Sequence, residues 1–446
     1  MPEIPVGAQI FDVVFHPTFC TVYTGLLTGH VKAFAYDEQG NHKSAFALRP
    51  SKSSCRGLSL NQDGSHLYAV GKAKSLFTID TKTEDIVDVR SGAHDVSINR
   101  VKSLVPQLLS TGDDDGTVKL WDPRQKDSVR EYTHHFDYIT DFLWIEDKKQ
   151  LVTTSGDGTL SVIDVRSKKP EPIAHSEDQE DELLSIASIK GGSKFVVGTQ
   201  IGILSIFNRN SGWGDCVDRI PGHPMSVDAV CSLPPDLPNV DTTSTILTGS
   251  SDGYVRAVQI LPTKLLGVVA DHGEWPIERI SIGSGQQGLT IDQPESGPST
   301  ANVGSKKEED EDNEPRFQRK WWVGSVGHED VLRMTDLEGF FRDNEGDENE
   351  KGALGVQVSD EDSDSGGSDG DDAEHEVDDK DAEEEAEGEG DREDEDENSD
   401  DENSDEESDV PQQKKRKRKP EPESKIVPKK RNKNTVVAEP SFFDDL

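Results

Sequence analysis

An apolar strand, a tight turn of small residues and a second alternating strand recur along this chain at a nearly fixed interval. The unit reads TGLLTGHVKAF at 24–34, VGKAKSLFTID at 70–80, STGDDDGTVKLWD at 110–122 and TSGDGTLSVID at 154–164. It continues as GTQIGILSIF at 198–207 and GSSDGYVRAV at 249–258, with a divergent last copy, VGSVGHEDVLRMTD, at 323–336. Asp80, Asp122 and Asp164 close successive copies at steps of 42, and Asn208 follows 44 later. A period of ~40–45 residues is that of a four-stranded propeller blade. Within the copies, Val118–Leu120 and Leu160–Val162 alternate apolar with polar, as half-buried strands do. Gly116, Gly158, Gly202 and Gly253 fall where the hairpin must turn tightly.

Each copy follows another strand-like stretch, from IFDVVFHP at 10–17 to SVDAVCSL at 226–233. Seven copies predict seven blades, an all-β propeller spanning residues 1–340. The segment near Glu3–Val6 is expected to supply the outer strand of the last blade, because closing the ring removes free sheet edges. The strand WPIERISIG ends at Gly283, and the sheet resumes at Lys320. The Gly/Ser/Pro/Glu-rich stretch 284–319 therefore reads as a disordered insertion inside blade seven, since loop closure costs free energy only logarithmically with length.

Charge divides the remainder. Residues 343–409 hold 35 acidic and 3 basic side chains, and residues 410–446 hold 11 basic and 5 acidic. Of the whole-chain charge of −41, only −15 is left to residues 1–342. Residues 341–411 offer almost nothing apolar to offset roughly 1–2 kcal/mol per residue of ordering entropy, and are expected to be a disordered acidic tail. Residues 412–446 form a basic segment and C-terminal peptide. The runs Lys414, Lys415, Arg416, Lys417, Arg418, Lys419 and Lys429, Lys430, Arg431 suit an importin, with RNA contact through phosphates as the rival use. Ser359, Ser368, Ser399 and Ser404 each precede an acidic residue by three positions, the pattern of acid-directed kinase sites. An acidic block of this size suits basic protein partners.

The four cysteines are scattered and form no C-x-x-C pair, as expected of reduced core thiols. No signal peptide and no apolar run near 18 residues is visible, so a soluble intracellular protein with no membrane partner is expected. Two enzyme-like motifs dissolve on inspection. Gly283–Gly288 satisfies G-x-G-x-x-G, but Pro294 and Pro298 break the helix that pyrophosphate binding requires. Gly249–Gly253 satisfies G-x-S-x-G, but it leads into a strand rather than a helix. No cofactor, metal or small-molecule substrate is expected, and no enzymatic activity.

Blade three has His94 before its first strand, Thr111 in a strand, Asp115 in the turn and Trp121 at the end, and is the only copy with all four. His223 and Asp252 remain in blade six, where Val258 replaces the tryptophan. The set resembles the buried hydrogen-bonded tetrad of WD-repeat proteins. Trp121-Asp122-Pro123-Arg124, echoed by Ile163-Asp164-Val165-Arg166, resembles the W-D-x-R motif with which some WD-repeat proteins dock on cullin-ligase adaptors through arginine, here Arg124 and Arg166. The alternative is that each arginine caps its local turn. FDVVFHPTF at 11–19, the copies at 110–124 and 154–166, KWWVGSVGHEDVLRMTDL at 320–337 and the acidic-then-basic tail ending FFDDL together resemble the WD repeat-containing protein 55 family, including its fungal JIP-type members. The resemblance implies a nuclear, nucleolar scaffold in ribosomal RNA production and large-subunit assembly, with pre-ribosomal or other nucleolar proteins as partners. The other readings are a cullin-ligase substrate receptor and a chromatin protein that grips histones.

Overall fold

A computed structural model describes residues 2–285 and 320–343. Seven antiparallel four-stranded sheets follow one another around a ring. Blade one is Ile10–Phe15, Thr21–Leu26, Val31–Tyr36 and His42–Leu48, and blade two is Cys55–Leu60, His66–Gly71, Leu76–Asp80 and Asp85–Arg90. Blade three is Ile98–Val105, Leu108–Asp113, Val118–Trp121 and Ser128–Tyr132. Blade four is Ile139–Ile145, Gln150–Ser155, Leu160–Asp164 and Ala174–His175. Blade five is Leu183–Ile189, Lys194–Thr199, Leu204–Asn208 and Asp218–Ile220, and blade six is Val227–Ser232, Thr245–Ser250, Tyr254–Gln259 and Lys264–Asp271. In all six the strands pair in chain order from the hub outward.

Blade seven alone breaks that order. Ile277–Gly285, Lys320–Gly327 and Val331–Asp336 supply three strands, and Glu3–Pro5 supplies the outermost. Ile4 pairs with Leu332 in antiparallel register, so the first residues of the chain close the ring as the repeat count requires. The inner strand runs two residues past Gly283: Ser284 faces Trp321 and Gly285 faces Lys320. The rest of the expected insertion, 286–319, lies outside the described residues. After Asp336 a short helix over 337–343 carries Leu337 and Phe341 into the cluster formed by Leu233, Leu247, Ile277 and Val323, so the packed unit reaches just past residue 340.

Burial explains the strand patterns. Second strands lie between neighbours on both sides and are buried nearly throughout, whereas the outermost strand of blade two, Asp85–Arg90, is exposed along most of its length. The apolar clusters straddle blade boundaries; one joins Tyr23 and Val31 of blade one to Leu58, Leu67 and Ile79 of blade two. Each fully buried Leu, Ile, Val or Phe contributes roughly 1.5–3 kcal/mol. The contact is close enough that a Cβ on Gly112 would stand 2.5 Å from Ile139 of the next blade. Hairpins between second and third strands tuck under the next connecting loop: Gly116 has φ +82°, and a Cβ there would meet the His135 carbonyl oxygen at 2.7 Å. Cys20, Cys55, Cys216 and Cys231 are free thiols.

Candidate functional site: the hub and the two faces

All seven inner strands carry a register irregularity near their start, between Ile10 and Asp12 in blade one and between Ile277 and Arg279 in blade seven. A β-bulge adds a residue and re-aims the side chains that follow. The added residues are Phe11, Arg56, Asn99 and Thr140 in blades one to four, then Leu184, Asp228 and Glu278. They surround a chamber of about 330 Å³ on the face where the inner strands begin, here called the top. A wider funnel of about 580 Å³ opens on the bottom. The residues immediately after the bulges include Asp12, Arg100, Asp141 and Arg279, which gather at the hub between the two hollows.

This quartet brings blades one, three, four and seven together. Arg279 donates from Nη2 to Asp141 Oδ1 at 2.8 Å, and its Nε lies 3.6 Å from Asp12 Oδ1. Arg100 donates from Nε to the Thr140 carbonyl at 2.6 Å. The carboxylates also stitch neighbouring blades: Asp12 Oδ2 accepts from Leu58 N at 2.6 Å, and Asp141 Oδ2 from Ile186 N at 3.3 Å. Burial raises the Asp12 carboxyl above its ordinary range despite Arg279 and Arg100. The same burial acts on Asp141, but the direct bond to Arg279 outweighs it and holds that carboxyl low. The difference follows the distances. Two carboxylates and two guanidiniums balance, the condition under which a desolvated cluster is tolerated.

Above the hub, the top-face loops expose apolar side chains: Leu27, Phe136, Ile201, Met225 and Trp275, with Phe136 88% accessible. Charge is segregated around the same rim. Arg49 and Lys52 on the loop entering blade two and Lys72 and Lys74 on its hairpin are exposed, while Asp137, Glu177, Asp178 and Glu180 are exposed on the loops entering blades four and five.

The tetrad of blade three is present, with one correction. Trp121 Nε1 donates to Thr111 Oγ1 at 2.7 Å, His94 Nε2 meets that oxygen at 2.6 Å, and His94 Nδ1 meets Asp113 Oδ2 at 2.7 Å. Tryptophan can only donate, so the Thr111 hydroxyl donates its hydrogen bond to Nε2 and Nδ1–H donates to the carboxylate. The acid is Asp113, not Asp115. Side chains two apart on a strand share a face, so Thr111 and Asp113 both point inward, while Asp115 sits exposed on the turn. Asp113 Oδ1 then accepts the backbone N–H groups of Asp115 and Thr117, closing the hairpin. The set looks like a nucleophile, base and acid, but Thr111 is fully buried and its hydroxyl is committed to the chain.

Shortened chains recur in other blades. His135 meets Ser161 Oγ at 2.8 Å and Asp157 at 3.0 Å, and His272 meets Ser325 Oγ at 2.8 Å and also Glu329. Sequence reading missed both. His272 and Glu329 stand 57 positions apart across the insertion, and blade four uses a serine from its third strand rather than its second. In blade six His223 meets Thr248 Oγ1 at 2.9 Å, while Asp252 pairs with Arg256 at 2.7 Å.

Arg124 and Arg166 lie on the connections from third to outer strands, at the bottom face. Each binds its own aspartate through two nitrogens: Arg124 to Asp122 at 2.9 and 2.7 Å, and Arg166 to Asp164 at 3.0 and 2.8 Å. Both side chains are 65% exposed. The pairing caps the local turn, and Arg124 holds the Asp122 carboxyl far below its usual range. The G-x-S-x-G run at 249–253 is the hairpin between Thr245–Ser250 and Tyr254–Gln259. Among the described residues no three His, Cys, Asp or Glu side chains are grouped to hold a metal ion, and no helix is long and apolar enough to cross a membrane. The basic runs 414–419 and 429–431 and the serines 359, 368, 399 and 404 lie outside the described residues.

Comparison with known proteins matches residues 1–291 to the WDR55 family. The chain is 67% identical over 373 residues to WD repeat-containing protein JIP5 of Laccaria bicolor, covering 81% of each chain. It is 36% identical over 309 residues to the WD repeat-containing protein 55 homolog of Dictyostelium discoideum, covering 69% of this chain and 72% of the relative. Against WD repeat-containing protein 55 of Rattus norvegicus the identity is 33% over 281 residues, covering 63% and 70%.

Proposed function

The chain belongs to the WDR55 family of WD-repeat proteins, and from that premise we propose that it is a nucleolar scaffold acting in ribosome biogenesis, in ribosomal RNA production or processing and large-subunit assembly. The observation that carries the scaffold role is the division of labour in the ring. The histidine and hydroxyl groups that imitate a catalytic set are sealed in structural chains, while exposed apolar side chains such as Phe136 and Trp275 stand among segregated charges on the top face. Such surfaces serve protein–protein contact. No reaction, cofactor, small-molecule substrate or membrane enters the proposal. The acidic tail engages basic proteins, the runs at 414–419 and 429–431 engage importin, and RNA contact by the same runs is compatible with this role.

Affinity purification of the tagged full-length chain with mass spectrometry tests the reading. Proteins of pre-ribosomal particles are the expected partners, and co-sedimentation with nucleosomes instead would overturn it. Recovery of a cullin-ligase adaptor that disappears in an Arg124→Ala, Arg166→Ala double variant would establish the receptor alternative. Deleting 414–433 is expected to abolish nuclear accumulation.

A further inference from the structure

We propose that the top chamber is a socket for one cationic side chain, arginine or lysine, presented by a peptide of a partner protein that lies across blades four to seven. The chamber combines apolar wall with acid, of which Glu278 is offset by the half-exposed His328 and by no arginine or lysine pair among the described residues. Phe11, Tyr138 and Leu184 supply surface for an alkyl stem, and Asp228 and Glu278 stand on the wall contributed by blades six and seven. Neither of these carboxylates has an arginine or lysine ion-paired to it among the described residues. Asp228 Oδ2 accepts from Ser226 Oγ at 2.9 Å and Ser251 Oγ at 2.7 Å, and Glu278 Oε1 meets His328 Nε2 at 2.6 Å. Burial, reinforced by the neighbouring Glu278, raises the Asp228 carboxyl above its ordinary range. A cation brought between the two relieves that unfavourable pairing.

The chamber's own cations are already engaged. Arg56, on the opposite wall, pairs with Asp114 at 3.0 Å and with Asn99 at 2.6 Å. Arg100, at the floor, is held by the Thr140 carbonyl beside the balanced hub. The rim over the same sector supplies flanking contacts. Phe136, Ile201, Met225 and Trp275 rise from the loops of blades four to seven, interleaved with Asp137, Glu177, Asp178 and Glu180. Acid around apolar anchors attracts a basic peptide and repels nucleic-acid phosphates. The occupant is therefore a peptide with one inserted basic side chain and apolar flanks.

This inference deepens the scaffold reading and rests on it, but its test is separate. The full-length chain is applied at physiological ionic strength to an array of otherwise neutral peptides. Each carries arginine, lysine, citrulline or norleucine at one fixed position between an aromatic and an aliphatic residue, and selected sequences are then measured by fluorescence anisotropy. Arginine or lysine is expected to bind about tenfold or more tighter than citrulline, because the charged donor meets two carboxylates. An Asp228→Asn, Glu278→Gln double variant is expected to erase that preference. Phe136→Ser, on an exposed loop, weakens charged and neutral peptides alike. If the double variant melts early, Glu278→Gln alone must still reduce the preference severalfold. Equal binding of arginine and citrulline across the array, or a preference that survives in the folded variants, overturns the socket. A chain that keeps its pre-ribosomal partners while showing no such preference would break the socket and leave the scaffold reading standing.

Discussion

Blade three is drawn from one run of chain, Ile98 to Tyr132, whereas blade seven is assembled from three: Glu3–Pro5, Ile277–Gly285 and Lys320–Asp336. Both end as the same four-stranded sheet. In blade three the polar chain Trp121–Thr111–His94–Asp113 stays within the blade and its leading loop. In blade seven His272 reaches Ser325 and Glu329, Glu329 also pairs with Arg333 at 3.1 Å, and Arg333 reaches Glu3 of the N-terminal strand at 2.6 Å. One polar network organises a hairpin; the other ends on the strand that closes the ring. A sheet built from local hairpins needs only short loops closed, while a sheet closed by the two ends of the ring must close a loop that spans every other blade.

The largest effect is expected where that closure is broken. Ile4 is fully buried opposite Leu332, and Ile4→Asp places a lone charge there. Loss of the cooperative melting transition and aggregation on size exclusion are expected; an unchanged melt would refute the closing role of the N-terminal strand. Next is the local network of blade three. Thr111→Val leaves the Trp121 and His94 nitrogens without their shared oxygen and is expected to cost about 2–4 kcal/mol in denaturant unfolding. Asp113→Ala is expected to cost a similar amount and Asp115→Ala less than about 0.5 kcal/mol, and the reverse order would restore Asp115 as the tetrad acid.

Acid addresses blades that neither network reaches. Burial pushes His134 and His223 down to about 3, with His135 adjoining the first and Arg256 the second. Above the unfolded value of about 6.5 both are neutral in either state and their contribution is intact. As pH falls from there toward 3, only the unfolded chain takes up protons, so stability is lost. His134 is partly exposed, and the pair is expected to cost on the order of 2 kcal/mol by about pH 5. His328, raised by Glu278, works in the opposite direction but is too exposed to offset this. Urea unfolding at a series of pH values reads the slope; a flat profile between about pH 5 and 7 would show that these rings are not held neutral.

Smaller effects separate closure from loop length. Because Gly285 already faces Lys320, cutting the insertion about fourfold with a flexible linker should stabilise the fold by only about 1 kcal/mol, read in the same denaturant assay. A marked loss would mean that 286–319 packs on the ring. Smallest is Arg124→Ala, expected to change stability by less than about 0.5 kcal/mol, since the pair with Asp122 is mostly solvated at the arginine.

The amino-acid order by itself determined the blade count, the hairpins, the source of the closing strand and the tetrad residues His94, Thr111 and Trp121. These follow from spacing because a four-stranded antiparallel sheet is made of near neighbours in the chain, and each copy repeats the same turn chemistry. The tetrad acid was misplaced by two residues because Asp113, Asp114 and Asp115 are chemically alike, and only hairpin closure decides which of them points inward. The hub and the chamber were invisible. Asp141 and Arg279 are 138 positions apart, and Asp12 and Glu278 nearly the length of the ring. Seven bulges set which side chain of each inner strand faces the axis, and a one-residue change there reverses inward and outward. Closure of the ring then gathered four distant charges at the hub, with Arg279 touching both carboxylates, and enclosed the space above them, so the sequence specified the blades and tertiary structure decided what they surround.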